Sequence, residues 1–301
     1  MSSSPVVLLT GGNSQANITS TELFPAVPGC ATPPLPATRT LHSTFLTEDR
    51  VATCGGRGNF NLVLADCLTL NPVSVQWQSD TSVLGHLPQK RSSAAEVTVA
   101  GVGTYLLGGW GKSHLSTSAF LPSGSATWQS GPDLPITISQ ACAFSYKQSI
   151  FITGGTSSTT NAPLRDMYEY SLVAKNWLPT STWSGLQKGR YNHGCAVVGS
   201  TVVIVEGQDT SEYGTASTEI INLETKAKSL GEALQSPRLA QLATVGFGSQ
   251  LRMLAFTYYS VKEWQEKSST WVEVGKLVEQ RNPIYMGSVA VPKGLVCKNE
   301  N

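Results

Sequence analysis

Charged side chains are scarce in this chain of 301 residues, where Asp, Glu, Lys and Arg make up 14% of the sequence. An ordinary soluble domain carries about 25%. The 21 basic and 20 acidic residues almost cancel, which leaves a formal net charge of +1, and no cluster of five or more Lys or Arg residues occurs. The composition therefore offers no electrostatic basis for binding nucleic acid or a membrane surface.

Long apolar segments are also missing. No apolar run reaches the roughly 18 residues that a membrane-spanning helix needs, so we expect no membrane insertion. The first residues, MSSSP, lack the basic and apolar regions of a secretory signal peptide, and the sequence predicts none in this chain. A convincing 3.6-residue periodicity is absent, which argues against long amphipathic helices.

Motifs for catalysis and metal binding are sparse. The four histidines, His42, His86, His114 and His193, show no metal-ligand spacing, and no Cys-x-x-Cys pair occurs. There is no phosphate-binding loop and no Gly-x-Ser-x-Gly turn. The carboxylates are scattered rather than paired as glycoside hydrolysis requires. We therefore expect no metal, no cofactor and no catalytic residues.

What the sequence does contain is a repeat. Five times an apolar segment runs into a Gly-Gly pair or a close variant of it, at Val6–Gly12, Val51–Gly56, Tyr105–Gly109, Ile150–Gly155 and, more weakly, Val202–Gly207. A period of about 50 residues is typical of the blades of a β-propeller. Because the repeat fills the chain, we predict one all-β domain over residues 1–301.

Each unit has an apolar strand opened by Arg, a second strand ending in Gly-Gly, a third strand and, in most units, a fourth strand with Trp. Six units are countable. We predict blades at residues 39–90, 91–138, 139–187, 188–236 and 237–280, and a first blade made of 1–38 and 281–297. The strand near residues 284–291 is expected to pair with Val6–Thr10 and close the ring, which removes an exposed sheet edge.

Three features together resemble the kelch repeat: the Gly-Gly pair, a Tyr/Trp pair, and an Arg-x-x-His element at the start of the next unit. Residues 39–42 and 190–193 match the last element, and Arg91, Arg238 and Arg281 keep only its arginine. In the fourth unit we place Gln140 where this arginine should be. The resemblance covers nearly the whole chain, is weakest in the sixth unit, and implies a six-bladed kelch β-propeller.

The resemblance also implies a ligand face, built from the residues after Gly-Gly and the loops that lead into the next first strand. The post-glycine candidates are Asn13, Arg57, Trp110, Thr156 and Gln208, and the strand-opening candidates are Arg39, Arg91, Arg190, Arg238 and Arg281. Guanidinium groups around an exposed tryptophan suit an acidic or carbonyl-rich peptide or an anionic sugar.

We favour the alternative for the strand-opening arginines, namely that they tie blades together without touching a ligand. Arg57 and Trp110 are the stronger binding candidates, since loop positions carry less structural duty.

The six cysteines leave several pairings open. Cys54 and Cys67 lie on neighbouring antiparallel strands, either as a disulfide or as two small buried residues. The same Cys-Gly-Gly-loop-Cys arrangement resembles extracellular invertebrate kelch-type proteins, which favours the disulfide. Cys30 and Cys297 are candidates to bridge the first blade to the chain end. Cys142 and Cys195 occupy equivalent places in first strands, and we expect them to be buried free thiols. Asn17 begins a glycosylation sequon.

The leading expectation is a monomeric, non-enzymatic scaffold that binds a protein, a peptide or a glycan outside the cell. The main alternative is a cytosolic kelch adaptor that serves a ubiquitin ligase or the cytoskeleton. A third is an enzyme, either sialidase-like or with a galactose-oxidase-like copper site drawing on Tyr258, Tyr259 and Tyr285. No histidine pair accompanies these tyrosines, and the sialidase-like echo in residues 123–128 lacks its aspartate.

Overall fold

The protein is described from a computed structural model that covers residues 5–12, 18–160, 162–210, 214–234, 241–247, 250–257, 260–279 and 286–297. Over these ranges the regular structure is β-strand, with short 3-10 turns at Asn59–Asn61, Thr180–Thr182 and Lys293–Leu295. None of the helical segments in this part of the chain has the length and apolar character needed to cross a bilayer.

Six antiparallel sheets form the blades of a propeller, as predicted. Blade I contains β1 (Pro5–Thr10), β2 (Thr21–Phe24) and, from the chain end, β23 (Gly287–Pro292). Blade II contains β3 (Ser43–Leu46), β4 (Val51–Cys54), β5 (Cys67–Asn71) and β6 (Gln76–Gln78). Blade III contains β7 (Ala95–Val99), β8 (Gly103–Leu107), β9 (Ser118–Pro122) and β10 (Gln129–Ser130).

The remaining three blades have the same order of strands. Blade IV contains β11 (Cys142–Tyr146), β12 (Ser149–Thr153), β13 (Met167–Ser171) and β14 (Asn176–Trp177). Blade V contains β15 (Gly194–Val198), β16 (Thr201–Val205), β17 (Thr218–Asn222) and β18 (Lys228–Gly231). Blade VI contains β19 (Gln241–Phe247), β20 (Gln250–Phe256), β21 (Ser260–Gln265) and β22 (Thr270–Lys276). In blades II to VI the first strand lies innermost, along the central channel. In blade I the innermost strand is β23.

The core is divided among the gaps between blades. Each of the six apolar clusters found in the described residues joins two neighbouring blades, and the last joins blade VI to blade I. Between blades II and III, for example, Trp128 packs edge-on against Phe45 with ring centroids 5.7 Å apart. Because a fully buried aromatic or aliphatic side chain stabilises a fold by about 1.5–3 kcal/mol, the ring depends on these interfaces.

Ring closure follows the prediction. β23 pairs with β1 over six residues, with Val6 opposite Val291 and Leu8 opposite Val289. The predicted disulfide between Cys30 and Cys297 is present beside this pairing and ties the end of the chain to blade I. Both the backbone ladder and a covalent bond therefore hold the two ends of the chain together.

The other cysteine predictions divide. Cys54 and Cys67 face each other across β4 and β5 and form the predicted disulfide. The prediction of free thiols at Cys142 and Cys195 is wrong, because these residues form a third disulfide between blades IV and V, with Cα atoms 6.0 Å apart. Inner strands of neighbouring blades run side by side around the channel, so sulfurs 53 residues apart in sequence meet there.

The joint between blades repeats closely. The amide of the second glycine of one blade donates a hydrogen bond to the carbonyl of the residue that opens the next: Gly12 to Arg39 (3.1 Å), Gly56 to Arg91, Gly109 to Ile138 and Gly155 to Arg190 (each 2.8 Å). Ile138, not Gln140, therefore stands in the arginine position of blade IV, which corrects the sequence assignment. Cys142 follows the strand-opening Ile138 by four residues, whereas Cys195 follows Arg190 by five, so the two cysteines are not at equivalent positions of their blades.

Glycine is required at this joint for two reasons. At Gly55 the backbone has a φ of +63°, and a Cβ atom there would lie 2.5 Å from the carbonyl oxygen of Arg91. A side chain would therefore strain the backbone and push the two blades apart. The joint after blade V departs from this pattern, because Glu206 takes the first glycine position with a φ of +53° and is fully buried.

Removing the ring-closing disulfide should cost more stability than removing the disulfide within blade II. The Cys30–Cys297 bond closes a loop of 267 residues, whereas the Cys54–Cys67 bond closes one of 13. Loop-closure entropy assigns the long loop roughly 5 kcal/mol and the short loop roughly 3 kcal/mol. We expect urea denaturation to show a greater loss for the Cys30→Ala/Cys297→Ala variant than for Cys54→Ala/Cys67→Ala. An equal or reversed order would contradict the ring-closure account.

Candidate functional site

Strand polarity places the Gly-Gly pairs and the strand-opening residues at the same end of every blade. We call this end the upper face. Since successive strands are antiparallel, a first strand begins and a second strand ends on the upper face. The turns between first and second strands and between third and fourth strands lie on the opposite, lower face.

A ring of backbone hydrogen bonds surrounds the upper opening of the central channel. Leu41, Ser93, Gln140 and Asn192 each follow a strand-opening residue by two positions and have a positive φ. The amide of Ser93 donates to the carbonyl of Leu41 (2.9 Å), that of Gln140 to Ser93 (3.0 Å) and that of Asn192 to Gln140 (2.9 Å). We call these four residues the mouth ring, and their bonds fix blades II to V relative to one another.

Four of the five post-glycine candidates are placed on the upper face, and Asn13 lies outside the described residues. Each of the four forms a short antiparallel bridge with the residue after its own strand-opening position; these pairs are Arg57–Thr40, Trp110–Ser92, Thr156–Ser139 and Gln208–Tyr191. All four post-glycine side chains are partly exposed. The bridges hold their backbones rigidly while the side chains remain accessible.

Arg57 is oriented by two side chains from different parts of the face. Its Nε donates to Ser92 Oγ of blade III (3.2 Å), and its Nη1 donates to Asn61 Oδ1 (3.0 Å). Its Nη2 makes no hydrogen bond to the described residues. The guanidinium is therefore held in place with donors still free for a carboxylate or carbonyl group.

Trp110 lies beside Arg57 on blade III, and its ring packs edge-on against His114 with centroids 4.7 Å apart. His114 Nδ1 lies 2.9 Å from Ser139 Oγ, which in turn contacts Thr156 Oγ1 at 3.3 Å. Burial lowers the pKa of His114, so this histidine is neutral at pH 7. A continuous polar band thus runs from Arg57 across Trp110 to Thr156 on three blades, and Arg57 is its cation.

Two apolar side chains beside Arg57 were missed by the sequence analysis. Phe60 is 96% exposed and Leu62 is 62% exposed, on the short 3-10 turn that follows Arg57. Asn61, between them, is the residue that anchors Arg57. Neighbouring exposed apolar side chains, unlike single ones, form the kind of surface patch that marks an interaction site. In the sequence these two residues are simply part of a polar loop, because the sequence does not show whether their side chains are buried or exposed.

The three strand-opening arginines that the structure describes do not reach this face. Arg39, Arg91 and Arg190 are buried. Arg91 Nη1 donates to the carbonyls of Gly108 (2.7 Å) and Thr117 (2.9 Å), and burial lowers its pKa to about 10, so it remains charged at pH 7. This burial supports the structural role that we favoured for them. Arg238 and Arg281 lie outside the described residues, as do Asn17, Tyr258, Tyr259 and Tyr285.

Two of the buried arginines have carboxylate partners that sequence reasoning did not identify. Arg39 pairs with Asp66, and Arg190 pairs with Glu219, whose side chain is 2% exposed. Glu219 also accepts a hydrogen bond from the amide of Gln187 at 2.7 Å. The pairing needs the arginine side chain to reach past the end of the second strand to the third strand or the residue before it, and only the folded blade brings these groups within range.

Among the described residues, the carboxyl group that borders the central channel below the mouth ring is Glu96 on β7. Two cavities of 240 Å³ and 410 Å³ line up along the channel, and Glu96 borders both. Burial raises its pKa to about 8. His42 and His193 border the upper cavity, and burial lowers the pKa of each to about 3, so both are neutral at pH 7. No three His, Cys, Asp or Glu residues within the described ranges are arranged to hold a metal ion.

Comparison with known proteins adds limited support. No established family description matches the chain. Over 100 residues the chain is 32% identical to a Kelch domain-containing protein of Saccharolobus solfataricus. The aligned part is 33% of this chain and only 13% of that relative, so the chain spans a small fraction of the relative's length. Taken with the ring of six blades, this similarity supports a kelch-type β-propeller.

The buried Arg190–Glu219 pair should be essential to blade V. Arg190→Met would leave a buried carboxylate without its cation, and such a change typically costs 3–5 kcal/mol. We expect urea denaturation at pH 7 to show a loss of unfolding free energy of this size. The loss should be smaller for the Arg190→Met/Glu219→Gln double variant, and smaller for Arg91→Met, which leaves no buried carboxylate without its partner. If the double variant is no more stable than Arg190→Met alone, the pair does not stabilise the fold in this way.

Proposed function

We propose that this propeller is a non-enzymatic scaffold that binds a protein or peptide partner on its upper face and works outside the cell. The observation that carries the proposal is the group formed by Arg57, Phe60, Leu62 and Trp110. It combines an anchored cation, two exposed apolar side chains and a partly exposed indole on one rigid surface. Aromatic and arginine side chains are the commonest energetic centres of protein interfaces.

The chemistry of the face suggests the character of the partner. Arg57 offers free guanidinium donors, which favour a carboxylate or a row of backbone carbonyls. Phe60 and Leu62 favour an apolar side chain close to that group. The partly exposed hydroxyl of Thr156 and amide of Gln208 supply further hydrogen bonds. An acidic segment that also carries an aromatic or aliphatic residue fits this arrangement, and a glycan would use the indole and the amides but not the apolar turn.

The rigidity of the face also supports a binding role. The post-glycine residues are bridged to neighbouring backbone, and the mouth ring joins four blades by backbone bonds. A surface ordered before binding loses little conformational entropy when a partner arrives. The similarity to a Kelch domain-containing protein agrees with such a scaffold.

The proposed location rests on the cysteines. All six are paired in three disulfides. Structural disulfides persist in oxidising compartments and are rare in the cytosol. The sequence resemblance to extracellular invertebrate kelch-type proteins points to the same location.

The upper face can be tested with an Arg57→Ala/Trp110→Ala variant. Peptides are first selected on the wild-type protein from a displayed library of random sequences. We expect the selected peptides to be acidic with an apolar residue, and to bind the variant at least thirtyfold more weakly, which corresponds to about 2 kcal/mol. Fluorescence anisotropy with the synthetic peptides gives the dissociation constants.

The matched control is Lys267→Ala/Val173→Ala, which removes one exposed cation and one exposed apolar side chain from the lower face. This variant should bind the selected peptides as the wild type does. Unchanged peptide binding by Arg57→Ala/Trp110→Ala would show that the face is assigned wrongly. Selection of no peptide, together with binding to an array of immobilised glycans, would show that the class of partner is wrong.

The compartment is tested by counting thiols. Protein isolated from its natural source without reductant is alkylated under denaturing conditions and weighed intact by mass spectrometry. We expect no labelled cysteine, and peptide mapping should recover the Cys142–Cys195 pair. Six labelled cysteines would contradict an extracellular location and would favour the cytosolic adaptor instead.

A further inference from the structure

The central channel is polar along most of its upper cavity. The mouth ring contributes Ser93, Gln140 and Asn192, and below them Ser43 and Ser288 add hydroxyl groups. A water molecule occupies about 30 Å³ in the liquid, so the 240 Å³ of this cavity has room for the outer part of a long side chain. The channel is therefore a site into which a slender polar group can enter from the upper face.

Glu96 lies where the upper and lower cavities meet. Thr44, Cys195 and Ser288 border both cavities at the same level. The carboxyl group of Glu96 is close to the backbone amide of Thr44, which is the hydrogen-bond partner that favours its charged form. Burial opposes that form more strongly and raises the pKa of Glu96 to about 8.

Among the described residues, the charged and titratable groups around Glu96 provide no counter-charge. On the strands beside it, His42 precedes β3 and His193 precedes β15, and both are neutral at pH 7. The cysteines on β11 and β15 are joined as a disulfide. β19 has the sequence QLATVGF, which contains no ionisable residue. Neither cavity has a lysine or an arginine among the described residues that border it.

We propose that the channel receives the ammonium or guanidinium group of a partner's lysine or arginine side chain, and that Glu96 is the carboxylate that pairs with it. An acid confined to a narrow channel without a counter-ion is costly to ionise, whereas a cation brought to it restores the missing charge. The hydroxyl oxygens of Ser43, Ser93 and Ser288, which border the upper cavity, can accept further N–H donors of such a group. Because a partner must supply the side chain, the inference rests on the proposed binding function.

Simple amines test the site without knowledge of the partner. Agmatine carries a guanidinium and an ammonium at opposite ends of a four-carbon chain, n-butylamine carries a single ammonium, and n-butanol is the neutral counterpart of n-butylamine. Titration calorimetry should show saturable binding of the two cations to the wild-type protein and none of n-butanol. Repeating the titration near pH 6.5 in two buffers of different ionisation enthalpy should reveal release of a proton, because Glu96 must ionise to pair with the cation.

Glu96→Gln keeps the shape of the side chain and removes the charge. It should bind agmatine and n-butylamine at least tenfold more weakly and release no proton. Glu206→Gln is the matched control, since Glu206 is also buried with its pKa raised to about 8 but borders neither cavity of the channel. This control should bind as the wild type does. Should Glu96→Gln fail to fold, Glu96→Asp replaces it and must retain the proton release.

Absence of saturable amine binding in the wild type would overturn the proposal, and so would equal binding by Glu96→Gln and the wild type. The outcome is separable from the proposed function. Arg57→Ala/Trp110→Ala should still bind amines, because neither residue borders the channel. Peptide binding without amine binding would support the upper face as a binding site and refute the channel site. Amine binding without peptide binding would support the channel site and refute the upper face.

Discussion

The structure depends on the hydrogen bond between the second glycine of one blade and the strand-opening carbonyl of the next. At the joints after blades I to IV this bond brings two backbones so close that a Cβ at the first glycine would collide with the carbonyl oxygen, as at Gly55 and Gly154, whereas blade V has Glu206 at this position. The close approach sets the positive φ values of the mouth ring and orients the post-glycine residues. The apolar clusters between blades then fill the space that the joint leaves.

The buried arginines are the consequence of this joint. A blade that bends sharply after its second strand leaves carbonyl groups directed inward, and unbonded buried carbonyls are costly. Arg39, Arg91 and Arg190 donate to them, and in two cases a carboxylate completes the pairing. Blade IV forms the same joint with Ile138 in place of the arginine. Among the described residues, three arginines and two glutamates, Arg39, Arg91, Arg190, Glu206 and Glu219, are thus buried inside the fold.

The division of labour on the upper face follows from the same geometry. Side chains that open strands point into the blades and become structural, whereas those after the glycines remain at the surface. The period of the Gly-Gly pairs was enough to predict this separation in outline, including Arg57 and Trp110. It was not enough to place Gln140, which belongs to the mouth ring, because the fourth unit lacks the arginine that would have set the frame.

The sequence by itself determined the all-β class, the six repeats and the closure of the ring, because these are written in local patterns: apolar runs, glycine pairs and a missing first strand. Only the tertiary structure decided the Cys142–Cys195 bond, the pairing of Arg190 with Glu219 and the place of Glu96 in the channel. Each of these joins residues from different strands or different blades, and their distance is set by the curvature of the ring. The exposure of Phe60 was likewise decided by the tertiary structure, since only the packed blades show that no apolar cluster covers the side chain of this loop residue.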